Sequence, residues 1–278
     1  MKTLAIIFIV ALVVVFEVWQ AESDWSQYRS LLSQKIVSDA STTLSYVDFD
    51  EVKKLPEPVK KYFHLVLKEG APIINRVYLS QLGGFRASPE MKGWLRMEAR
   101  EYFSSRPRAF AWDAKISIFP GMSLSVMDSY REGKGEMRGR LFSLFILIDE
   151  KNQSELDEGA LQRYLAEAVW FPTALLPSQG VVWTGLGRDR AKATIRDANI
   201  SVSLEFEFNE KGEIVSVYAP SRYRESSGKY EPTPWKGRFS KYIDANGYLI
   251  PQEGEVEWHL KDRVYPYWKA RLLEVEYD

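Results

Sequence analysis

The sequence contains no cysteine in 278 residues. This absence excludes disulfide bonds, thiol nucleophiles and thiolate metal sites, so the stability of the fold must come from packing. It also excludes the lipid-modified cysteine of a bacterial lipoprotein. A chain without cysteine tolerates the oxidising conditions outside the cytoplasm, although it gains no covalent framework there.

Histidine is scarce as well, with only His64 and His259. His259 alternates with Glu255 and Glu257 in a segment that reads as a strand, which would place the three side chains on one face. A metal ion could bind such a row, but a solvent-facing strand has the same pattern. We therefore predict no metal site.

The familiar catalytic motifs are missing too. The sequence has no G-x-S-x-G, no glycine-rich phosphate loop, no H-E-x-x-H and no dinucleotide-binding fingerprint. Hydrolase triads and nucleotide chemistry therefore lack support. We predict no cofactor and assign no catalytic residue.

Neither sign of charge is in excess. Lysine and arginine total 37 and aspartate and glutamate total 38, so no net field attracts nucleic acid, and none is predicted as a partner. Aromatic residues, by contrast, are plentiful, with 9 Trp, 15 Tyr and 14 Phe. This load suits broad sheets with large side chains on their faces, or an apolar cavity.

One long apolar run is present, from Leu4 to Phe16 behind Lys2. It fits the core of a signal peptide, about 7 to 15 residues, and falls short of the roughly 20 that span a bilayer as a helix. Ala21-Glu22-Ser23 offers small residues to a signal peptidase, whereas Val18 and Trp19 extend the apolar character as an anchor would. Residues 1–23 are therefore predicted to be a signal peptide or a membrane anchor. Both place the body outside the cytoplasm, because positive charge is retained inside.

Behind this segment the apolar pattern predicts helices first and strands afterwards. Residues 24–72 have helical spacing and should pack on the sheet. From residue 73 onward apolar and polar residues alternate, most regularly over Ser201–Phe208, and a single inserted helix is predicted at 157–169. Turn sequences such as Asp244-Ala245-Asn246-Gly247 separate the strands, so each strand should pair with its sequence neighbours.

These patterns predict a mainly β protein of the α+β class. We expect one large curved antiparallel sheet, or half-barrel meander, over residues 73–278, preceded by the N-terminal apolar helix. About three helices should cover the concave side, since an uncovered apolar face of that size would aggregate.

Asp128 is the most unusual polar residue, because alternation places it on the apolar face of Met122, Leu124, Val126 and Tyr130. A carboxylate there must be paired or protonated. A functional role competes with a structural ion pair to a basic residue such as Arg138 or Arg140, or with a bulge that turns the residue outward. Glu167 is a weaker candidate, since an i, i+4 pair with Arg163 explains it.

Two aromatic and proline-rich clusters, with Trp112, supply the other ligand-binding candidates. Because proline lacks the N–H of the ladder, we predict that these clusters line rims or edges of the sheet rather than central strands. Packing as core plugs is the alternative. The candidate residues are Trp112, Trp170, Phe171, Trp235, Tyr267 and Trp268.

The clusters also carry a resemblance to a known family. Y-L-A-E-A-V-W-F-P-T-A-L-L-P (164–177), P-T-P-W-K-G-R-F-S-K-Y (232–242) and Y-P-Y-W (265–268) resemble a family of uncharacterised bacterial envelope proteins, a domain of unknown function. L-P-E-P-V-K-K-Y-F (55–63) is similar to its start. The resemblance implies no activity and no catalytic residue. The expected architecture also resembles the half-barrels of lipoprotein carriers, without a shared motif.

Three functional hypotheses follow. The first is an extracytoplasmic, non-enzymatic domain that binds an apolar or amphiphilic ligand, such as a lipid, in the curved sheet, and that meets the membrane through its N-terminal segment. The second is an envelope hydrolase that uses carboxylates such as Asp128 and Glu167. The third is a structural or interaction protein of the envelope. The sequence does not predict the oligomeric state.

Overall fold

The computed structural model describes residues 2–226 and 228–278, and these form a mainly β fold with three α-helices and thirteen strands. The helices are α1 (Lys2–Asp39), α2 (Glu57–Val66) and α3 (Ser154–Glu167). The strands are β1 (Arg76–Phe85), β2 (Leu95–Ser104), β3 (Ala109–Phe119), β4 (Met122–Arg131), β5 (Lys134–Leu141), β6 (Phe145–Lys151), β7 (Val182–Gly185), β8 (Arg190–Asp197), β9 (Ile200–Phe208), β10 (Ile214–Ser226), β11 (Lys229–Ala245), β12 (Tyr248–His259) and β13 (Val264–Tyr277).

All described strands join one antiparallel sheet, as the alternating pattern predicts. Its order is β6-β5-β4-β3-β2-β1-β13-β12-β11-β10-β9-β8-β7. Every pairing but one joins sequence neighbours, which confirms the predicted meander. The exception lies at the centre, where Val77 of β1 pairs with Tyr277 of β13.

The chain crosses from one edge of the sheet to the other over the concave side. Between β6 and β7 it forms α3 and three short 3-10 turns, Ala168–Trp170, Pro172–Leu175 and Pro177–Gln179. We call residues 154–179 the cover. The sheet curls beneath it until its two halves touch, where the hydroxyl of Tyr130 donates to Asp197 Oδ2 at 2.8 Å.

Specific polar contacts position α3 on the sheet. Asp157 in its first turn is buried and accepts hydrogen bonds from the backbone N–H of Gly135 and from Lys134 Nζ, both at 2.8 Å. A Cβ on Gly135 would lie 2.8 Å from the carbonyl oxygen of Leu156, so glycine permits this close approach. Thr173 Oγ1 accepts from the N–H of Ile74 at 3.1 Å and fixes the 3-10 segment in the same way.

The predicted fold class is confirmed, and the helices divide between the two faces of the sheet. α2 and the cover pack into the large core on the concave side. The second half of α1 packs on the outer face instead, where Trp25 and Ile36 join a small core with Ala109, Ala111 and Met127. The two alanines leave a shallow surface on which a helix fits.

The predicted apolar run lies in the first half of α1. Met1 and the side chains of residues 2–7, 10, 11 and 14 lie outside the described part of the structure. Phe8, Leu12, Phe16 and Trp19 are each more than half exposed. Among the residues described, no helix combines the length and the apolar character that crossing a membrane requires.

Candidate functional site

An ionic cluster joins the cover to the concave face of the sheet. Arg163 of α3 donates to Asp128 Oδ2 of β4 at 2.7 Å, to Glu101 Oε1 of β2 at 2.8 Å and to Glu167 Oε1 of α3 at 2.9 Å. Glu101 has no solvent exposure, and the side chain of Arg163 is only 14% exposed. The guanidinium of Arg163 therefore connects the cover to two strands of the sheet, β2 and β4, within an apolar layer.

Aromatic and amide groups complete the surroundings of Arg163. Its guanidinium lies 5.0 Å from the ring centre of Phe110 and 4.9 Å from that of Trp112. Trp112 Nε1 donates to Gln81 Oε1 at 3.0 Å, and Gln81 Nε2 donates to Glu101 Oε2 at 2.8 Å. Each carboxylate oxygen of Glu101 thus has a fixed partner, and cation–π contacts help to stabilise the buried cation.

Burial in this cluster raises the pKa values of its three carboxyl groups. Burial raises the pKa of Glu101 well above its ordinary value, and the nearby charge of Glu167 raises it further. Burial also raises the pKa values of Glu167 and Asp128, although Arg163 opposes both shifts. The surroundings thus disfavour the charged form of each carboxyl group, and Arg163 is the cation that opposes this effect.

The predictions for Asp128 and Glu167 have mixed outcomes. Asp128 is buried on the inner face, as its alternation predicts, and Glu167 forms the predicted pair with Arg163. Asp128 forms the structural ion pair that was predicted as an alternative, but its partner is Arg163 from the helix above rather than Arg138 or Arg140 on the adjacent strand. Arg138 points to the outer face, where it lies against the ring of Tyr28. The role of Asp128 and Glu167 as ligand-binding residues stays a prediction.

Glu101 and Arg163 are the members of the site that the sequence patterns did not single out. Glu101 lies on the same face of β2 as Met97, Ala99 and Phe103, which all belong to the core. The alternation that places Asp128 on an apolar face therefore places Glu101 on one as well. Arg163 lies one helical turn before Glu167, but no local pattern indicates that it also reaches two distant strands.

The two aromatic clusters occupy different positions from those predicted. Trp170 and Phe171 are almost fully buried in the core between the cover and the sheet. They therefore pack as core residues, which was the alternative, and do not line a rim. Trp235 and Trp268 lie on β11 and β13, which are inner strands of the sheet, and the predicted edge position is wrong. Register shifts opposite these segments explain the difference, because a bulge accommodates proline where a regular ladder cannot.

Trp235 and Tyr267 nevertheless belong to a second polar and aromatic group near α3. Trp235 Nε1 donates to the hydroxyl of Tyr267 at 3.0 Å, and Tyr267 stacks on Trp258 with ring centres 5.8 Å apart. The guanidinium of Arg222 lies 4.8 Å from the ring centre of Trp235 and donates to the carbonyl oxygen of Gly159 at 3.1 Å. This group provides a further contact between sheet and cover.

Two described cavities, of about 610 and 500 Å³, lie along α1 rather than under the cover. The larger has a polar lining that includes Arg29, Arg100 and Asp113, and neither cavity is lined by Asp128 or Glu167. Both carboxylates of the hydrolase hypothesis are therefore held by Arg163 within the packed interior. Within the described residues, no group of three or more histidine and acidic residues is placed to hold a metal ion.

Comparison with known proteins identifies the family. Residues 53–277 match the model of a family of unknown function, DUF6920, and the chain belongs to this family. A comparison with curated proteins gives no match. Among solved structures, the fold is similar to a LolA superfamily protein, NE2245 from Nitrosomonas europaea, with 8% identity over 79% of this chain and 91% of the other, at a TM-score of 0.39.

Proposed function

We propose that this protein is an extracytoplasmic, non-enzymatic domain that binds an apolar or amphiphilic ligand, such as a lipid, between the concave face of its sheet and the cover. The observation that carries the proposal is the position of the ionic cluster. Arg163 and Glu167 belong to the cover, while Glu101 and Asp128 belong to the sheet. The apolar run near the N-terminus supports a location outside the cytoplasm.

The cluster is suited to act as a latch. A buried ion pair adds little net stability compared with apolar packing, because its attraction is offset by the loss of hydration. Its contacts depend strongly on geometry and on protonation, however. A cover held by such contacts can separate from the sheet when one of them is replaced, whereas an interface of purely apolar side chains has no comparable trigger.

The surfaces that would separate are mostly apolar. Trp170 and Phe171 of the cover pack against the inner face, where Phe171 lies 4.7 Å from Phe103 between ring centres. Acyl chains of a ligand would replace these contacts, and Trp112 would line the same space. Asp128, Arg163 and Glu101 would remain as the polar groups that recognise a headgroup, since apolar sites usually carry a few polar determinants.

Replacing Arg163 by methionine tests the latch. We expect Arg163→Met to bind a lipophilic fluorescent dye more strongly and, in native mass spectrometry, to retain more co-purifying lipid than the unchanged protein. Arg238→Met is the matched control, because Arg238 also binds a buried carboxylate, Glu257 at 2.7 Å, but on the outer face. If neither the protein nor the Arg163 variant binds dye or lipid, the proposal is refuted.

A structural or interaction protein of the envelope is the second candidate, and the packed interior favours it. Trp170, Phe171 and Leu175 fill the space under the cover with almost no exposure. If this packing is permanent, the cover is a structural element and the ionic cluster fixes its position. Absence of dye and lipid binding in the experiment above would support this candidate.

A further inference from the structure

One end of the molecule carries exposed apolar side chains on two adjacent hairpins. Phe119 precedes the turn between β3 and β4 and is 65% exposed. The turn between β5 and β6 and the start of β6 add five apolar residues that are 39% to 62% exposed. We call these six residues the hairpin tips: Phe119, Phe142, Leu144, Phe145, Ile146 and Leu147.

The first half of α1 leaves the body at the same end. Asp39 lies 3.9 Å from Arg131, which ends β4 at the opposite end of the strands. Glu22 accepts a hydrogen bond from Ser143, which lies between the tip residues Phe142 and Leu144. α1 therefore crosses the outer face of β2 and β3 toward the tips, and the twenty residues before Glu22 continue past them for roughly 30 Å at 1.5 Å per residue.

Within the two hairpins the charge nearest the tips is positive, whereas α1 contributes the acidic residue Glu22 at the same end. The stretches 114–127 and 137–148 contain no aspartate or glutamate, and their charged residues are Lys115, Arg138 and Arg140. Basic side chains behind an exposed apolar patch suit an anionic lipid surface, where their long stems reach the headgroups while the apolar groups enter the layer below.

The exposure of consecutive residues indicates the kind of partner. Phe145, Ile146 and Leu147 are each 57% to 62% exposed, although successive side chains of a strand point to opposite faces. A folded protein partner, including a second copy, would cover one face of this hairpin. The fluid interior of a lipid layer can surround both faces.

We propose that the hairpin tips dock into the surface of a lipid bilayer beside the first half of α1. The two elements form one membrane-facing end, and the hairpins fix the orientation of the body relative to the lipid. This surface lies apart from the space beneath the cover, so the proposal stands or falls separately from ligand binding there.

The absence of native cysteine permits a direct test on the full chain. Phe145→Cys places a single thiol at the tips, and Asn199→Cys places one at the other end, where Ala198 lies next to the turn after β4. Each variant is labelled with an environment-sensitive fluorophore and mixed with vesicles of phosphatidylcholine and phosphatidylglycerol. We expect a blue shift and quenching by spin-labelled lipids at position 145 and neither change at position 199.

A second measurement separates the tips from α1. Replacing both Phe145 and Ile146 by serine should weaken vesicle partition by roughly tenfold or more, since each side chain loses favourable burial in lipid. Leu273→Ser is the matched control, because Leu273 is equally exposed, at 61%, but lies on β13. Partition that is unchanged in the tip variant overturns the proposal. A label at position 145 that shifts only on dimerisation, without quenching by lipid, also overturns it and indicates a second copy as the partner.

Discussion

Replacement of Arg163 by methionine should also destabilise the fold, and the loss should grow with pH. Arg163 provides three hydrogen bonds of 2.7 to 2.9 Å to carboxylates whose side chains are at most 14% exposed. Methionine fills a similar volume between Phe110 and Trp112 but donates no hydrogen bond. The variant therefore leaves Glu101, Asp128 and Glu167 without the cation that opposes their mutual repulsion.

The expected magnitude follows from what remains buried. Removing one partner of a buried ion pair costs about 3 to 5 kcal/mol, because the other charge stays without compensation. Here the pKa values of all three carboxyl groups are already raised in the folded protein, and loss of Arg163 raises them further. A raised carboxyl pKa means that the folded state binds more protons than the unfolded state. Stability therefore falls as pH rises from the unfolded pKa values through the folded ones.

Urea unfolding followed by tryptophan fluorescence measures this effect. We expect a loss of about 3 to 5 kcal/mol at pH 8 and a clearly smaller loss at pH 5, where more of the carboxyl groups are protonated. Combining Arg163→Met with Glu101→Gln, Asp128→Asn and Glu167→Gln should restore much of the loss at pH 8. A loss of stability below about 1 kcal/mol at pH 8, or a loss that does not depend on pH, would refute this reasoning. Glu101, Asp128 and Glu167 would then not be buried carboxylates that repel one another.

Three further predictions concern the same interface, each measured by urea unfolding. Glu101→Gln should flatten the decline of stability between pH 5 and 8, because the raised pKa of Glu101 is one source of that decline; an unchanged profile contradicts this. Trp170→Ala should cost about 3 to 5 kcal/mol, whereas Trp170→Phe should cost less than about 1.5 kcal/mol, since Nε1 of Trp170 is buried with no acceptor among the described groups. Gly135→Ala should cost about 1 to 3 kcal/mol, because its Cβ would lie 2.8 Å from the backbone of Leu156, while Gly93→Ala, with open space around it, should change stability by less than about 0.5 kcal/mol.

The sequence predicted the meander because its information is local. Alternation of side chains assigns each strand an inner and an outer face, and turn residues join neighbours, so eleven of the twelve pairings among the described strands follow from short stretches of chain. The same rule placed Asp128 on the inner face. It did not predict the pairing of β1 with β13, since Val77 and Tyr277 carry no local sign of each other.

The candidate site was only half predicted for a similar reason. Glu167 and Arg163 lie four residues apart, and their pairing follows from helical geometry. The reach of Arg163 to Glu101 and Asp128 depends on how α3 is placed across the sheet, and three-dimensional packing alone determines that. The predicted edge position of Trp235 and Trp268 was wrong for a different reason. Both residues lie on inner strands, where bulges accommodate the neighbouring prolines.

The central pairing of β1 with β13 has a consequence for how the protein folds. Each half of the sheet consists of hairpins that can form as soon as their residues leave the ribosome, but the edge of β1 stays open until the last strand of the sheet arrives. During that interval its unpaired backbone groups can bind other strands. Synthesis would therefore expose a vulnerable edge, so delayed completion of β13 should favour aggregation, and a binding chaperone would protect the nascent chain most effectively at β1.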